Sequence, residues 1–231
     1  MMNTYYKTMK KYGWIMALSL GSLLVVAATF RTIQPAPLPD YSDSESASLS
    51  SGYQIGDAVS NFRLKNIDGN MVSLSDYSAK KGVIVVFTCN HCPFARAYED
   101  RIIGLHKKYA GSGYPVIAVN PSDPISYEDD TFDQMKERAT SKGYPYPYLV
   151  DDTQAVARAF GATRTPHVFV LRNSGTKFIV QYIGTVDDNP QDPTSVTKRY
   201  VDDAVTNLLA GKPVVTTTTK AIGCAIKWKD A

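Results

Sequence analysis

The sequence predicts an α/β domain whose central mixed β-sheet is flanked by helices and preceded by an N-terminal β-hairpin. Short apolar runs rich in β-branched residues alternate with stretches of helical spacing. Such alternation is typical of a mainly parallel sheet covered on both faces. Late in the domain, two strand-like runs flank a turn at 173–175. That hairpin adds antiparallel strands and makes the predicted sheet mixed.

The first 52 residues differ from this domain in composition. Three lysines lie within the first eleven residues, and the uncharged, mostly apolar run 14–30 follows them. We interpret residues 1–30 as a secretory signal peptide or, alternatively, an N-terminal membrane anchor. Residues 31–52 are rich in Pro and Ser and predict a linker. Both interpretations place the domain outside the cytoplasm, so we expect a periplasmic or otherwise extracytoplasmic protein that touches membrane only through this segment.

The charge pattern excludes a nucleic-acid partner. The chain has 25 Lys and Arg against 22 Asp and Glu, and the three N-terminal lysines account for the difference. Phosphate binding needs a concentrated basic surface, whereas the remaining basic residues are scattered along the chain.

The folded domain is predicted to span residues 53–212, and residues 213–231 form a tail. The predicted strands are 61–66, 71–74, 82–88, 116–119, 148–150, 167–171 and 177–183. The predicted helices are 93–109, 130–142, 153–160 and 194–210, and Gly143 and Gly161 mark the ends of the second and third. Asp187 and Asp188 follow the last strand, and we expect them in a solvated loop.

A Cys-x-x-Cys motif at Cys89 and Cys92 predicts the chemistry. It follows the buried strand directly and opens the next helix, and residues three apart on a helix lie close enough for a disulfide. We expect Cys89 at the helix N-terminus, where backbone N–H groups and the helix dipole lower a thiol pKa. Cys89 would then attack, and Cys92 would resolve the mixed disulfide. His91 would further stabilise the Cys89 thiolate, which makes the disulfide more oxidising.

Two other interpretations of this motif compete with redox chemistry. Half of a zinc site is one, but no second Cys-x-x-Cys follows, and Cys224, His91 and His167 would have to complete it. An inert structural disulfide is the other. We predict neither, and we expect no metal and no cofactor.

Thr165 and Pro166 are predicted as the second half of the site. An X-Pro bond adopts the cis form at low cost, and a cis-proline beside Cys-x-x-Cys would present a backbone edge to an extended peptide. The alternative is an ordinary proline that begins a strand. The third cysteine, Cys224, is interpreted as a further redox thiol, a mixed-disulfide site or a buried core cysteine.

These features resemble the thioredoxin superfamily, and more narrowly its redoxin branch of AhpC/TSA proteins and peroxiredoxins. The similar segments are 56–64, 68–69, 72–77, 87–94, 184, 187–188 and 223–228. The resemblance implies a thioredoxin-like fold. It also implies that Cys92 aligns with the peroxidatic cysteine of peroxiredoxins, where a Thr or Ser stands three residues earlier. Cys89 occupies that position, so the thioredoxin-like use of Cys89 as nucleophile fits better.

Three functions follow. The first is an exported thiol–disulfide oxidoreductase that acts on protein thiols or disulfides through Cys89 and Cys92. The second is a peroxiredoxin-like thiol peroxidase, an antioxidant enzyme that uses Cys92 on small-molecule oxidants. The third is a tethered, non-catalytic binding module with a redox-sensitive motif.

Overall fold

The computed structural model describes residues 52–229. The predicted signal or anchor, nearly all of the linker and the last two residues lie outside this range. Within it, no helix is long and apolar enough to cross a membrane. The predicted domain boundaries remain predictions.

The order of strands and helices agrees with the sequence prediction, with three short strands added. The strands are β1 (Ala58–Val59), β2 (Arg63–Asn66), β3 (Met71–Ser73), β4 (Gly82–Phe87), β5 (Val116–Asn120), β6 (Tyr148–Val150), β7 (Arg164–Thr165), β8 (His167–Asn173), β9 (Phe178–Gly184) and β10 (Cys224–Ala225). The helices are α1 (Pro93–Tyr109), α2 (Phe132–Lys142), α3 (Ala155–Phe160) and α4 (Tyr200–Leu209). The additions, β1, β7 and β10, are two residues long, too short to show a periodic pattern.

Eight strands form one mixed sheet in the order β1-β9-β8-β4-β5-β6-β2-β3. Strands β4, β5 and β6 are parallel, β8 pairs antiparallel with β4, and β9 pairs antiparallel with β8. The predicted β2–β3 hairpin pairs with β6 at the opposite edge. This is the thioredoxin-like α/β fold, and its parallel strands carry the candidate site at their carboxyl ends.

Strand β4 shows why its sequence is apolar without alternation. All six of its residues are buried. Ile84 and Val86 pack into one hydrophobic cluster, and Val83, Val85 and Phe87 pack into the cluster on the other face. Successive side chains of a strand point to opposite faces, so a strand covered on both sides needs an apolar residue at every position.

Glycines end two of the helices as predicted. Gly143 after α2 and Gly161 after α3 have φ angles of 63° and 69°, in the left-handed region that ends a helix at little cost for glycine. Helix α4 begins at Tyr200 rather than near 194, because residues Pro193–Ser195 form a separate 3₁₀ turn.

The C-terminal tail packs against the domain. Ile226 is buried in one hydrophobic cluster, and Trp228 packs against it. Strand β10 pairs antiparallel with β7, with Cys224 opposite Thr165. The tail is thereby brought to the candidate site.

The expectation of a solvated loop after β9 is wrong for Asp187. Its side chain is buried and accepts two hydrogen bonds from Arg101, at 2.8 and 2.9 Å, and one from the Tyr98 hydroxyl at 3.1 Å. Arg101 also lies over the Tyr98 ring. A buried carboxylate requires such partners, and this one joins the loop to α1.

Candidate active site

The Cys-x-x-Cys motif occupies the loop between β4 and α1, but the helix N-terminus is at Cys92 rather than Cys89. Cys92 is the N-cap residue of α1 and Pro93 is the first helical residue. Proline is well suited there because its missing N–H has no helical partner in any case. Both cysteines are buried, with 3% of Cys89 and none of Cys92 exposed.

Thr165 lies beside both cysteine sulfurs. Its hydroxyl is 3.0 Å from Cys89 Sγ, and its carbonyl oxygen is 3.2 Å from Cys92 Sγ. The Thr165–Pro166 peptide bond is cis. The structure therefore joins the two predicted halves of the site, which are 73 residues or more apart in the chain.

The disulfide in the structure joins Cys92 to Cys224, and Cys89 is the free cysteine. The predicted Cys89–Cys92 disulfide is not the one present. The physical reason is the pairing of β10 with β7, which places Cys224 opposite Thr165 and puts its Cα atom 6.0 Å from that of Cys92. The same pairing fills the backbone edge of Thr165 that we expected a substrate peptide to use. Arg164 is occupied with the tail too, donating to the Gly223 carbonyl at 2.8 Å.

The Cys89 thiol is also less acidic than an ordinary thiol, whereas we expected it to be more acidic. Burial raises the pKa of the Cys89 thiol to about 11, an effect that the hydrogen bond with the Thr165 hydroxyl offsets in part and the Asp130 carboxylate increases. The backbone N–H of Cys92, the N-cap residue of α1, lowers this pKa, but by less than burial raises it. In this state Cys89 is therefore a protonated thiol at neutral pH.

His91 lies against Cys89 as predicted. Its Nε2 atom is 3.9 Å from Cys89 Sγ, and its Nδ1 atom bonds Oδ2 of Asp130. The imidazole stacks on the ring of Tyr127 with parallel planes and centroids 3.7 Å apart. The sequence reasoning missed Asp130 and Tyr127. A usable signal existed, since both follow β5 and the carboxyl ends of parallel strands share one edge of a sheet.

Asn90 connects the His91–Asp130 pair to the sheet. Its backbone N–H donates to Asp130 Oδ1 at 2.6 Å, and its side-chain carbonyl accepts from the Tyr148 hydroxyl at 3.1 Å. Asn120, at the end of β5, donates a second hydrogen bond to Asp130 Oδ1 at 2.9 Å. Every polar atom of the buried Asp130 carboxylate thus has a partner, and the motif loop is anchored to β5 and β6.

Cys89, His91 and Asp130 are the one group among residues 52–229 whose ligand atoms lie close enough to share a metal ion, within 4.8 Å of one another. The hydrogen bonds do not favour that use. Oδ1 of Asp130 accepts from Asn90 and Asn120, and Oδ2 is bonded to His91. The carboxylate oxygens of Asp130 are therefore used in hydrogen bonds to His91 and to the two asparagines. Cys89 and His91 remain as two ligands, which is fewer than zinc requires.

His167 follows Pro166 but does not join this cluster. It is buried, accepts a hydrogen bond from the Thr163 N–H through Nδ1 at 3.4 Å, and packs against Phe169. Burial lowers the pKa of His167 to about 4. The fold accommodates a neutral imidazole at this position.

The lowered His167 pKa predicts a loss of stability in acid. The unfolded chain binds this proton below about pH 6.5 and the folded chain only below about pH 4, so stability falls as the pH drops between these values. Full protonation would cost up to about 3 kcal/mol. In urea titrations at pH values from 7 to 4, the free energy of unfolding of His167→Gln should fall by up to about 3 kcal/mol less than that of the parent. Equal losses in both proteins would contradict the prediction, because the carboxylates that also titrate are common to both.

Comparison with known proteins shows the family of this chain. Residues 55–188 match the AhpC/TSA family. The crystal structure of an uncharacterized conserved protein from Geobacillus kaustophilus superposes with a TM-score of 0.72 at 35% identity, over 78% of this chain and 94% of that one. The thiol-disulfide oxidoreductase ResA of Bacillus anthracis is 27% identical over 57% of this chain and 70% of its own length. Chloroplastic peroxiredoxin Q of Gentiana triflora is 25% identical over 73% of this chain and 75% of its own. The chain belongs to the AhpC/TSA family and is a thiol-based oxidoreductase with a thioredoxin-like fold.

Proposed function

We propose that the protein is an exported thiol–disulfide oxidoreductase in which Cys89 attacks the target, Cys92 resolves the mixed disulfide and Cys224 accepts the resulting bond. One observation carries this proposal: the three cysteines of the chain pack in one cluster around Thr165. An inert structural disulfide would not require a third, free cysteine in contact with it.

The proposed cycle can be written from a protein with three thiols and a target disulfide. Cys89 thiolate attacks one target sulfur, and the other target sulfur leaves as a thiol after taking up a proton. Cys92 thiolate then attacks Cys89 Sγ and releases the second target thiol. Finally, Cys224 thiolate attacks Cys92 Sγ and returns Cys89 to a thiol. The target gains two electrons and two protons, and the Cys92–Cys224 disulfide of the structure is the product. In reverse, the same steps oxidise a target dithiol.

Relatives support this choice among thiol chemistries. Several matched proteins carry the name thiol-disulfide oxidoreductase ResA, at 25–27% identity. The expected partners are therefore protein thiols or disulfides. Export is proposed from the N-terminal sequence pattern, and recovery of the full chain from the cytoplasmic fraction after cell fractionation would refute it.

Cysteine replacements test the order of these steps. In a glutathione titration of the full chain, with bonded cysteines mapped by mass spectrometry, Cys224→Ser should form a reversible Cys89–Cys92 disulfide. It should also continue to exchange with a mixed-disulfide target. Cys89→Ser should form Cys92–Cys224 and lose exchange to the buffer background, because the attacking sulfur is gone.

Two results would overturn the proposed function. One is exchange at the parent rate by Cys89→Ser. The other is the failure of Cys224→Ser to form a Cys89–Cys92 disulfide at any glutathione poise. Cys224→Ser is the matched control for Cys89→Ser, since each variant removes one sulfur from the same cluster and keeps a hydroxyl.

A thiol peroxidase is the second candidate, and the Cys92–Cys224 disulfide favours it. Peroxide would oxidise the Cys92 thiolate to a sulfenic acid with release of water, and the Cys224 thiol would condense with it to the observed bond and a second water. Peroxiredoxin Q is among the matched relatives. Against it, Cys92 is fully buried. Rapid formation of Cys92–Cys224 by hydrogen peroxide in Cys89→Ser, without disulfide exchange, would select the peroxidase.

A further inference from the structure

We propose that Asp130 is a positioning residue that orients His91 to accept the thiol proton of Cys89. This inference rests on the proposed function, in which Cys89 attacks the target as a thiolate. The proton would pass from Cys89 Sγ to His91 Nε2, and no electrons are exchanged in this step. The product is a thiolate beside an imidazolium, which Asp130 stabilises through Nδ1.

The need for a proton acceptor follows from burial. Only 3% of the Cys89 surface is exposed, and Cys89 precedes the N-cap residue of α1, Cys92, by three positions. A thiol in such surroundings remains protonated at neutral pH. Thr165 supplies one hydroxyl to the sulfur but no base. Among the described residues that contact Cys89 Sγ, His91 is the one whose side chain carries a nitrogen that can accept a proton.

Asp130 determines which nitrogen of His91 faces the sulfur. A carboxylate only accepts hydrogen bonds, so its bond with His91 Nδ1 requires that Nδ1 carry the proton. Nε2 is then the unprotonated nitrogen, and it is the one that lies 3.9 Å from Cys89 Sγ. The Asp130 carboxylate thereby selects the tautomer of His91 in which Nε2 can act as a base.

The orientation of the ring is held from two further sides. Tyr127 stacks on the imidazole face, with 1° between the ring planes. Asp130 itself is fixed by Asn90 and Asn120, which donate to its other oxygen. The neighbouring cation does not compete for Asp130, because Arg96 pairs with the adjacent Asp129 at 2.8 Å. His91 is therefore the ionisable partner of Asp130 in this network.

The test is the pH dependence of Cys89 alkylation by iodoacetamide. The full chain is used with Cys92–Cys224 formed and with a chelator present, so that Cys89 is the free thiol. The parent rate should rise with pH through an inflection that depends on both His91 and Asp130. Asp130→Asn should lower the rate at pH 7 by about 100-fold and abolish that inflection. Asn90 and Asn120 donate to the Oδ1 position, so the new amide keeps its oxygen there and turns its NH2 group toward His91 Nδ1. Nδ1 then accepts, and the proton lies on Nε2.

Asp129→Asn is the matched control. It removes the same charge one residue away, on a carboxylate that bonds Arg96 and is about half exposed, and it should keep the parent profile. A merely structural effect of Asp130→Asn would slow or speed alkylation without removing the inflection. His91→Gln is the second variant, since the His91 side chain is partly exposed and its replacement should not prevent folding.

The variants also define what would overturn the inference. His91→Gln should lose the inflection, and the Asp130→Asn/His91→Gln double variant should be no slower than either single variant. A parent-like profile in Asp130→Asn or His91→Gln, or effects of the two that multiply, would refute the inference. Alkylation requires no target protein, so this result is independent of the exchange assay that tests the proposed function.

Discussion

In an oxidising buffer, Cys89→Ser/Cys224→Ser should unfold with a free energy about 2–5 kcal/mol below that of Cys89→Ser. The Cys92–Cys224 bond joins residues 132 positions apart, and closing so long a loop removes much conformational freedom from the unfolded chain. The Cys89→Ser background prevents a Cys89–Cys92 bond from replacing the lost one. Urea denaturation monitored by circular dichroism measures the difference.

Two controls accompany this measurement. Cys89→Ser alone should be as stable as the parent, because Cys89 is free and serine keeps a hydrogen bond with the Thr165 hydroxyl. With a reductant, the single and double variants should have similar stability. Equal stability under oxidising conditions would mean that the disulfide does not constrain the folded domain, and that the tail binds through strand pairing and Ile226 alone.

Phe160→Ala should lower the free energy of unfolding by about 3–5 kcal/mol. Phe160 is 2% exposed and ends α3, where its ring meets those of Tyr53, Phe87 and Phe169 with centroids 5.1–5.3 Å apart. Each contact is edge-on, the arrangement that aromatic pairs favour. Truncation would leave a cavity that these rings cannot fill without changing their packing.

Ile125→Ala is the control for Phe160→Ala. Its side chain is 92% exposed, so its truncation should change the free energy of unfolding by less than about 0.5 kcal/mol. Urea titrations of both variants and the parent give the comparison. A loss below about 1 kcal/mol for Phe160→Ala would show that the aromatic cluster readjusts and does not stabilise α3 against the sheet.

The C-terminal tail covers the strand edge beside the two cysteines of the motif. Strand β10 lies along β7 as an added strand would, and Cys224 is bonded to Cys92 next to Thr165. Main-chain pairing at a strand edge is a common way to bind an extended peptide. A target that used this edge would have to displace the tail, and reduction of Cys92–Cys224 removes the covalent part of that obstacle.

The sequence by itself determined the elements that local patterns encode. The apolar run of β4 predicted a strand buried on both faces, and Gly143 and Gly161 predicted helix ends, because each signal depends on a few neighbouring residues. The Cys-x-x-Cys motif and the Thr165–Pro166 pair were also predicted as one site. Their meeting required only that the predicted sheet form with its usual connections.

Only the tertiary structure decided which two cysteines form the disulfide, how acidic Cys89 is and which residue orients His91. Cys224 reaches Cys92 across 132 residues through a two-residue strand that no periodic pattern could reveal. The Cys89 pKa rises because the fold buries the thiol and places the Asp130 carboxylate near it, while α1 begins four residues further on, at Pro93. Asp130 meets His91 from a separate loop. Disulfide pairing, burial and hydrogen bonding between distant segments depend on where the chain returns in space, and local sequence does not encode that distance.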